Sequence, residues 1–405
     1  MSAARMETRI SDGELARRWQ AVRAAMRERR LDALVMQGQN DWLGGYVRWF
    51  TDLPAQNGYP RSVVFFADAP MSVVEMGADG GARAFGPEET LHRGVGRLLT
   101  TPAFLSIAYT HGEEAALVLA ELRRHGCRGV GLVGAGGMAH GFASALREAI
   151  ATEDATLLVD AIKAIKSDEE IGLIRRAAAL QDAAFAAVLG GLRPGMRDRD
   201  ATALAWRAAE EGGSEQGITL ASSAPPGLRA SFLGRHMQGR RIAAGDHFTL
   251  LIEVNGPGGF YTEIARTVVL GRAGAALLEG FAAMRAAQEH TLALLRPGTP
   301  CAAVAAAHDD WMRAHGLPPE RRLYCHGQGY DMVERPLVRH DETMHLDAGM
   351  NLAVHPGYET ETLFAVVCDN YLLGAEGPSD CLHRTEKRVF ELASCGSPEC
   401  HFVTL

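Results

Sequence analysis

Apolar residues recur at helical spacing near the start of the chain, at Leu15, Trp19, Val22 and Met26, and predict an amphipathic helix. A strand-like run, LDALVMQG (31–38), follows it. SVVFFAD, MSVVEM and FLSIAY are short runs rich in β-branched and aromatic residues, and each predicts a strand. A helix is expected near 112–125 and another strand at GVGLVG (129–134). This alternation predicts an N-terminal α/β domain over residues 1–160. The glycines of GVGLVG do not make a dinucleotide site, because that fingerprint lies in the loop after a strand; Val130, Leu132 and Val133 read as the strand itself.

A boundary is expected near 160–167. In AIKAIKSDEEIGLIRRAA, Ser167 precedes Glu170 by three positions, the spacing of a capping box that opens a helix. Ile171, Ile174, Ala178 and Phe185 then mark one face of a long helix. Beyond it the chain repeats a pattern. LRPGMRDRDATALAWRAAEEGG (192–213) and LRPGTPCAAVAAAHDDWMRAHGL (295–317) share Leu-Arg-Pro-Gly and then an Ala-rich helix ending near glycine. Each is followed by strand-forming sequence, which predicts a duplicated domain of pseudo-twofold symmetry over residues 161–395, with a tail at 396–405.

Composition narrows the functional classes. With 47% hydrophobic and 22% charged residues, the chain is globular rather than disordered. A net charge of −8 argues against nucleic acid or an anionic membrane as partner. The N-terminal stretch has no apolar core, and no uninterrupted apolar run approaches about 18 residues, so a cytoplasmic protein is expected. Seven cysteines without zinc-site spacing suit a reducing compartment. Cys395, Cys400 and His401 read as a tail with spare thiols rather than a metal motif.

The candidate chemistry lies in three segments. LIEVNGPGGFYTEIART reads as a hairpin turning around NGPGG, which sets Glu253 opposite Glu263 on one face. GMNLAVHPGYETETL reads as a second hairpin turning around Pro356-Gly357-Tyr358, which sets His355 opposite Glu361. His326, in CHGQGYDMVERP, joins them. Three carboxylates and two imidazoles in one pocket are expensive to bury without a cation to offset them.

These segments resemble the creatinase/prolidase/aminopeptidase P family, whose catalytic domain has the pita-bread fold. AIKSDEEIGLIRRAA is similar to the family's Lys-Ser-x-Glu-Glu helix. GRHMQGRRIAAGD resembles its histidine segment before a Gly-Asp turn, GFYTEIART its Gly-Tyr-x-Ser-Asp-x-Thr-Arg-Thr strand, CHGQG its His-Gly-x-Gly loop, and GMNLAVHPG its Gly-Met-x-x-x-x-Glu-Pro-Gly strand. The resemblance implies an α/β N-terminal domain, a pita-bread catalytic domain and a homodimer acting on a small molecule. Family peptidases hold two divalent metals with Asp, Asp, His, Glu and Glu. The resemblance carries these positions to Glu253 (with a one-residue deletion), Glu263, His326, His355 and Glu361, of which only His326 and Glu361 match in type. A further family histidine corresponds to Val333, so ordinary Xaa-Pro cleavage is not expected.

The favoured expectation is a hydrolase of an amide or amidine C–N bond in a small polar metabolite. One divalent metal (iron, manganese or zinc) is held by Glu253, Glu263, His326, His355 and Glu361. His236, Glu263 and Glu361 are the catalytic candidates, with His236 handling protons. Tyr261, Arg266, Tyr330 and Glu334 are candidates for binding substrate. Three alternatives stand beside this: a metal-free, creatinase-like amidinohydrolase with His236 as base and glutamates holding a cationic substrate; a metal-dependent lyase like the family's dimethylsulfoniopropionate-cleaving branch; and a non-catalytic binding module. Asn40, Trp42, Tyr46, Arg48 and Trp49 form an aromatic and polar stretch that reads either as a buried cluster or as a reach toward a partner subunit.

Overall fold

A computed structural model describes residues 7–40, 42 and 45–393; Cys395, Cys400, His401 and the tail lie outside the described residues. The chain divides into two compact units. The first comprises residues up to Gly172 together with Gly258–Phe260 and Gly329–Arg335, and the second comprises the remainder.

In the first unit, seven strands form one mixed sheet. Their spatial order is Gly81–Ala84, Val95–Thr101, Met71–Met76, Arg61–Phe66, Ala33–Gly38, Val130–Val133 and Thr152–Asp154. Ala33–Gly38 is buried throughout, as a central strand covered on both faces requires. It pairs antiparallel with Arg61–Phe66 and parallel with Val130–Val133. The helices His111–Arg124 and His140–Ala149 pack Val118, Leu122, Phe142 and Leu146 against it.

FLSIAY is not a strand. It forms a turn and the 3-10 helix Ala108–Thr110, while the sheet uses Val95–Thr101 instead. Phe104, Ile107 and Tyr109 are exposed, and the Thr110 hydroxyl bonds the backbone of Phe104 and Ile107, which holds the segment in a turn. The first unit runs to Gly172, a few residues past the boundary expected near 160–167. Lys163, Lys166 and Glu170 are buried and tied by ion pairs to Glu334 and Arg18 inside that unit.

The second unit shows the duplication directly. The helix pairs Asp168–Gly191 with Asp198–Glu211, and Ala275–Leu294 with Cys301–Ala314, each turn through Leu-Arg-Pro-Gly. At the first turn, Gly195 N–H donates to Ile242 O (2.8 Å) and Ile242 N–H to Met196 O (2.8 Å). At the second, Gly298 N–H donates to Leu346 O (2.8 Å) and Leu346 N–H to Thr299 O (2.9 Å). Both halves thus close the same turn onto the chain just before a strand. The reciprocal Ser167–Glu170 capping box opens the first long helix.

The first half's sheet aligns Phe390–Glu391, Tyr261–Val269, His247–Asn255 and Gly217–Ala224. In the second half Cys325–Gly327, Asn351–Val354, Asp369–Gly374 and Gly377–Cys381 lie side by side. Phe248, Leu250, Ile252 and Val254 pack into a core with Phe185 and Val188 of the long helix. Because side chains alternate along a strand, Thr249, Leu251 and Glu253 then face the opposite side, together with Glu263, Ala265 and Thr267 of the paired strand. At the hairpin's end, a side chain on Gly256 would meet the Ala177 backbone at 2.8 Å, so glycine is what permits this close approach to the helix.

Candidate metal centre

The register sets Glu253 directly opposite Glu263 on two fully buried strands. His326 comes from Cys325–Gly327, paired with Asn351–Val354, and His355 follows the latter strand immediately. The His355 backbone N–H donates to Tyr324 O (2.7 Å), which fixes where its ring leaves the sheet. Glu263 Oε1 lies 3.5 Å from His326 Nε2 and 3.4 Å from His355 Nε2. One donor atom from each of Glu263, His326 and His355 falls within 4.8 Å of the others. Glu253 stands beside this trio, and its Oε1 accepts from Gln328 Nε2 (3.0 Å).

His326 Nδ1 lies 2.9 Å from Gly327 O, a contact in which Nδ1–H donates and Nε2 is turned toward Glu263. Glu263 Oε1 and His355 Nε2 are buried and have no hydrogen-bond partner among the described residues. Burial pushes the His355 imidazole down to about 4, so the ring is neutral near pH 7. Burial raises Glu253 well above the usual carboxylate range, and the Glu263 charge opposite adds to this. For Glu263, burial also opposes ionisation, but His355 and His326 outweigh it and hold the group at about 2. Glu263 thus faces the Nε2 atoms of both rings across 3.4 and 3.5 Å. Three groups converging in this way are offset either by a ring N–H shared with the carboxylate or by a cation among them. One carboxylate oxygen and two imidazole nitrogens fit a single divalent metal of the iron, manganese or zinc kind.

Asp369, Cys381 and His383 also bring donor atoms together. They do not fit a metal, because Arg266 already pairs with Asp369 (2.6 Å), Lys387 lies 3.8 Å from it, and His383 Nε2 meets Gln181 Oε1 at 3.0 Å.

Several expected positions fall elsewhere. Glu361 is exposed in the turn between Gly357–Glu359 and Phe364–Val366. The hairpin turns around residues 360–363 rather than Pro356-Gly357-Tyr358, so Glu359 pairs with Phe364 and Glu361 never faces His355. Cys368 lies beside Glu263 instead, with its buried thiol 3.5 Å from Glu263 O. His236 sits exposed in the 3-10 turn Arg235–Met237 and makes no hydrogen bond or ion pair among the described residues. Arg266 is fully buried and spends its guanidinium on Asp369 and four backbone carbonyls. Tyr261 is buried at the start of its strand. Tyr330 is buried in the first unit, where it packs on Phe260 (4.1 Å between centroids) with Arg18 and Arg48 over its ring. Glu334 is closed off, with its oxygens taken by Lys163 and Lys166. Of the aromatic stretch, Arg48 and Trp49 are buried in the helix Tyr46–Thr51, and the Tyr46 hydroxyl donates to Asp160 (2.7 Å).

Gln328, Asn351 and Asn370, which hold the two glutamates in place, were not among the sequence candidates. Their signal is faint: a glutamine between glycines just after a histidine, and polar residues closing an apolar strand.

The profile of metallopeptidase family M24 matches residues 172–374, half of the chain. The chain belongs to this family. Among curated relatives, an uncharacterized hydrolase/peptidase of Sinorhizobium fredii is 30% identical over 186 residues, 45% of this chain and 47% of the relative. A probable dipeptidase PepE of Mycobacterium tuberculosis is 26% identical over 208 residues, 50% of this chain and 54% of the relative. The matches thus span about half of each. The solved structure of dipeptidase PepE from Mycobacterium ulcerans superposes with a TM-score of 0.74 at 19% identity, covering 95% of this chain and all of that one. The X-Pro aminopeptidase of Thermotoga maritima also gives 0.74, at 15% identity over 92% and 99%. This M24 chain has the pita-bread fold with an α/β N-terminal unit. Among its described residues no helix is long and apolar enough to cross a membrane.

Proposed function

We propose that this M24 member hydrolyses an amide or amidine C–N bond in a small polar metabolite, at a mononuclear centre held by Glu263, His326 and His355. The observation that carries this is the 3.4 Å approach of Glu263 Oε1 and His355 Nε2, both buried and without a hydrogen-bond partner among the described residues, which a cation between them reconciles. C–N hydrolysis is supported by the peptidase and dipeptidase names of the relatives. A bound divalent metal supplies Lewis acidity and lowers the pKa of a coordinated water.

The protein's own groups do the remaining work. The Gly327 carbonyl orients the His326 ring through Nδ1, so that Nε2 points at the site. Glu253 takes the proton-handling role expected of His236. It is buried opposite Glu263 and holds a proton that the Glu263 charge favours, whereas His236 is exposed. Val333, standing where the family resemblance carries a histidine, makes Xaa-Pro dipeptides poor substrates.

The test is turnover of a panel of N-acyl, cyclic amidine and Xaa-Pro compounds by chelator-treated enzyme, before and after adding back iron, manganese or zinc. Turnover of an amide or amidine that depends on the metal is expected. Robust Xaa-Pro cleavage would overturn the substrate reading. Full activity without metal would overturn the centre and leave a cationic amidinium between Glu253 and Glu263 as the species that balances the site.

A further inference from the structure

The buried amides beside the centre form a chain with only one possible direction. The Glu263 backbone N–H can only donate, and it donates to Asn370 Oδ1 (2.7 Å). That fixes the Asn370 amide, so its Nδ2 faces Gln328 Oε1 (2.9 Å) as donor. Gln328 is thereby fixed in turn, and its Nε2 donates to Glu253 Oε1 (3.0 Å). Asn351 agrees in sense: its Nδ2 donates to Gln328 O (2.9 Å) and its Oδ1 lies 3.3 Å from Asn370 Nδ2. Gln328, Asn351 and Asn370 are all at most 1% exposed, so water does not compete for these bonds. On the other side of Asn370, its N–H lies 3.4 Å from His383 Nδ1, and His383 Nε2 meets Gln181.

We infer that Gln328 is a positioning residue for Glu253: the backbone amide of one glutamate, acting through Asn370 and Gln328, sets which oxygen of the other is committed to the protein and which is left to the reaction. Glu253 Oε1 always accepts from Gln328, which leaves Oε2 as the atom that works. A glutamine free to turn over would instead present its own oxygen, and Glu253 would lose the donor that selects Oε1. The inference rests on the proposed function only in giving Glu253 a role beside the centre; the orienting chain itself does not depend on a metal.

Two variants and two measurements test it. Gln328→Met keeps length and apolar bulk but removes the donor. Asn370→Ala makes no contact with Glu253; it releases the direction of Gln328 and also the Glu263 backbone N–H. Crystal structures of both variants should show the Glu253 carboxylate rotated from its wild-type plane. Cobalt(II) titrations, read from the visible d–d bands, should show affinity reduced about 10–100-fold in Asn370→Ala, which releases the backbone of the ligand Glu263, and little changed in Gln328→Met. The double variant should rotate Glu253 no further than Gln328→Met alone, because the two act in series on that carboxylate. An unrotated Glu253 in both variants, or rotations that simply add in the double variant, would overturn the inference. Should the wild type take up no cobalt(II), the metal reading fails by itself, and the carboxylate rotation alone decides the role of Gln328.

Discussion

Replacing Arg266 by methionine separates a structural arginine from a substrate-binding one. The side chain is fully buried. Its Nη2 meets Asp369 Oδ1 at 2.6 Å and Thr385 O at 3.0 Å, Nη1 meets Ala265 O and Cys368 O at 2.8 and 2.9 Å, and Nε meets Glu386 O at 2.9 Å. Methionine keeps the stem and removes every donor. Asp369, itself fully buried, loses its closest cation, which costs about 3–5 kcal/mol. The Ala265 and Cys368 carbonyls lie in the core and add about 1–3 kcal/mol each where water does not reach them. Against a total stability of about 5–15 kcal/mol, this is a severe loss. Urea denaturation followed by circular dichroism, with hydrogen exchange along Tyr261–Val269, measures it. Arg266→Met combined with Asp369→Leu should recover the part due to the stranded Asp369 charge and leave the part due to the carbonyls. An Arg266→Met protein as stable as the parent would refute this reasoning and return Arg266 to the substrate pocket.

Two further predictions follow from placement. Burial raises Glu114 to about 7, against an ordinary 4.5, despite hydrogen bonds from Ser62 and Gln37. A raised carboxyl stabilises the fold fully below pH 4.5 and loses that contribution as pH rises through 7. Glu114→Gln should therefore gain stability relative to wild type between pH 5 and 8, by roughly 3 kcal/mol at the alkaline end; a difference that does not change with pH would contradict this. Glu361→Ala should leave cobalt(II) affinity unchanged and stability within about 0.5 kcal/mol, as for an ordinary surface change, and a tenfold loss of affinity in the titration would restore Glu361 to the site.

Much of the fold was legible because periodicity and punctuation agreed. The capping box at Ser167 and the repeated Leu-Arg-Pro-Gly turns specify local structure that the second unit then uses twice. The Glu253–Glu263 pair was readable for a related reason: NGPGG marks the turn, and positions equidistant from it must pair. Glu361 was misplaced because Pro356-Gly357 resembles a turn, whereas the chain extends through Gly357 and turns at Thr360–Leu363, where no glycine or proline marks it. FLSIAY failed because β propensity without a neighbouring strand to pair with does not make a strand. Exposure of His236 and the lysine clamp on Glu334 depend on residues far away in sequence, and spacing carries no trace of such contacts.

The most direct test of the proposed centre is elemental analysis of protein purified without chelator, in wild type and in His355→Ala. One equivalent of iron, manganese or zinc per chain in the wild type, and a near-complete loss in a variant that still folds, is the predicted result. A folded and active wild-type enzyme containing no metal would contradict it.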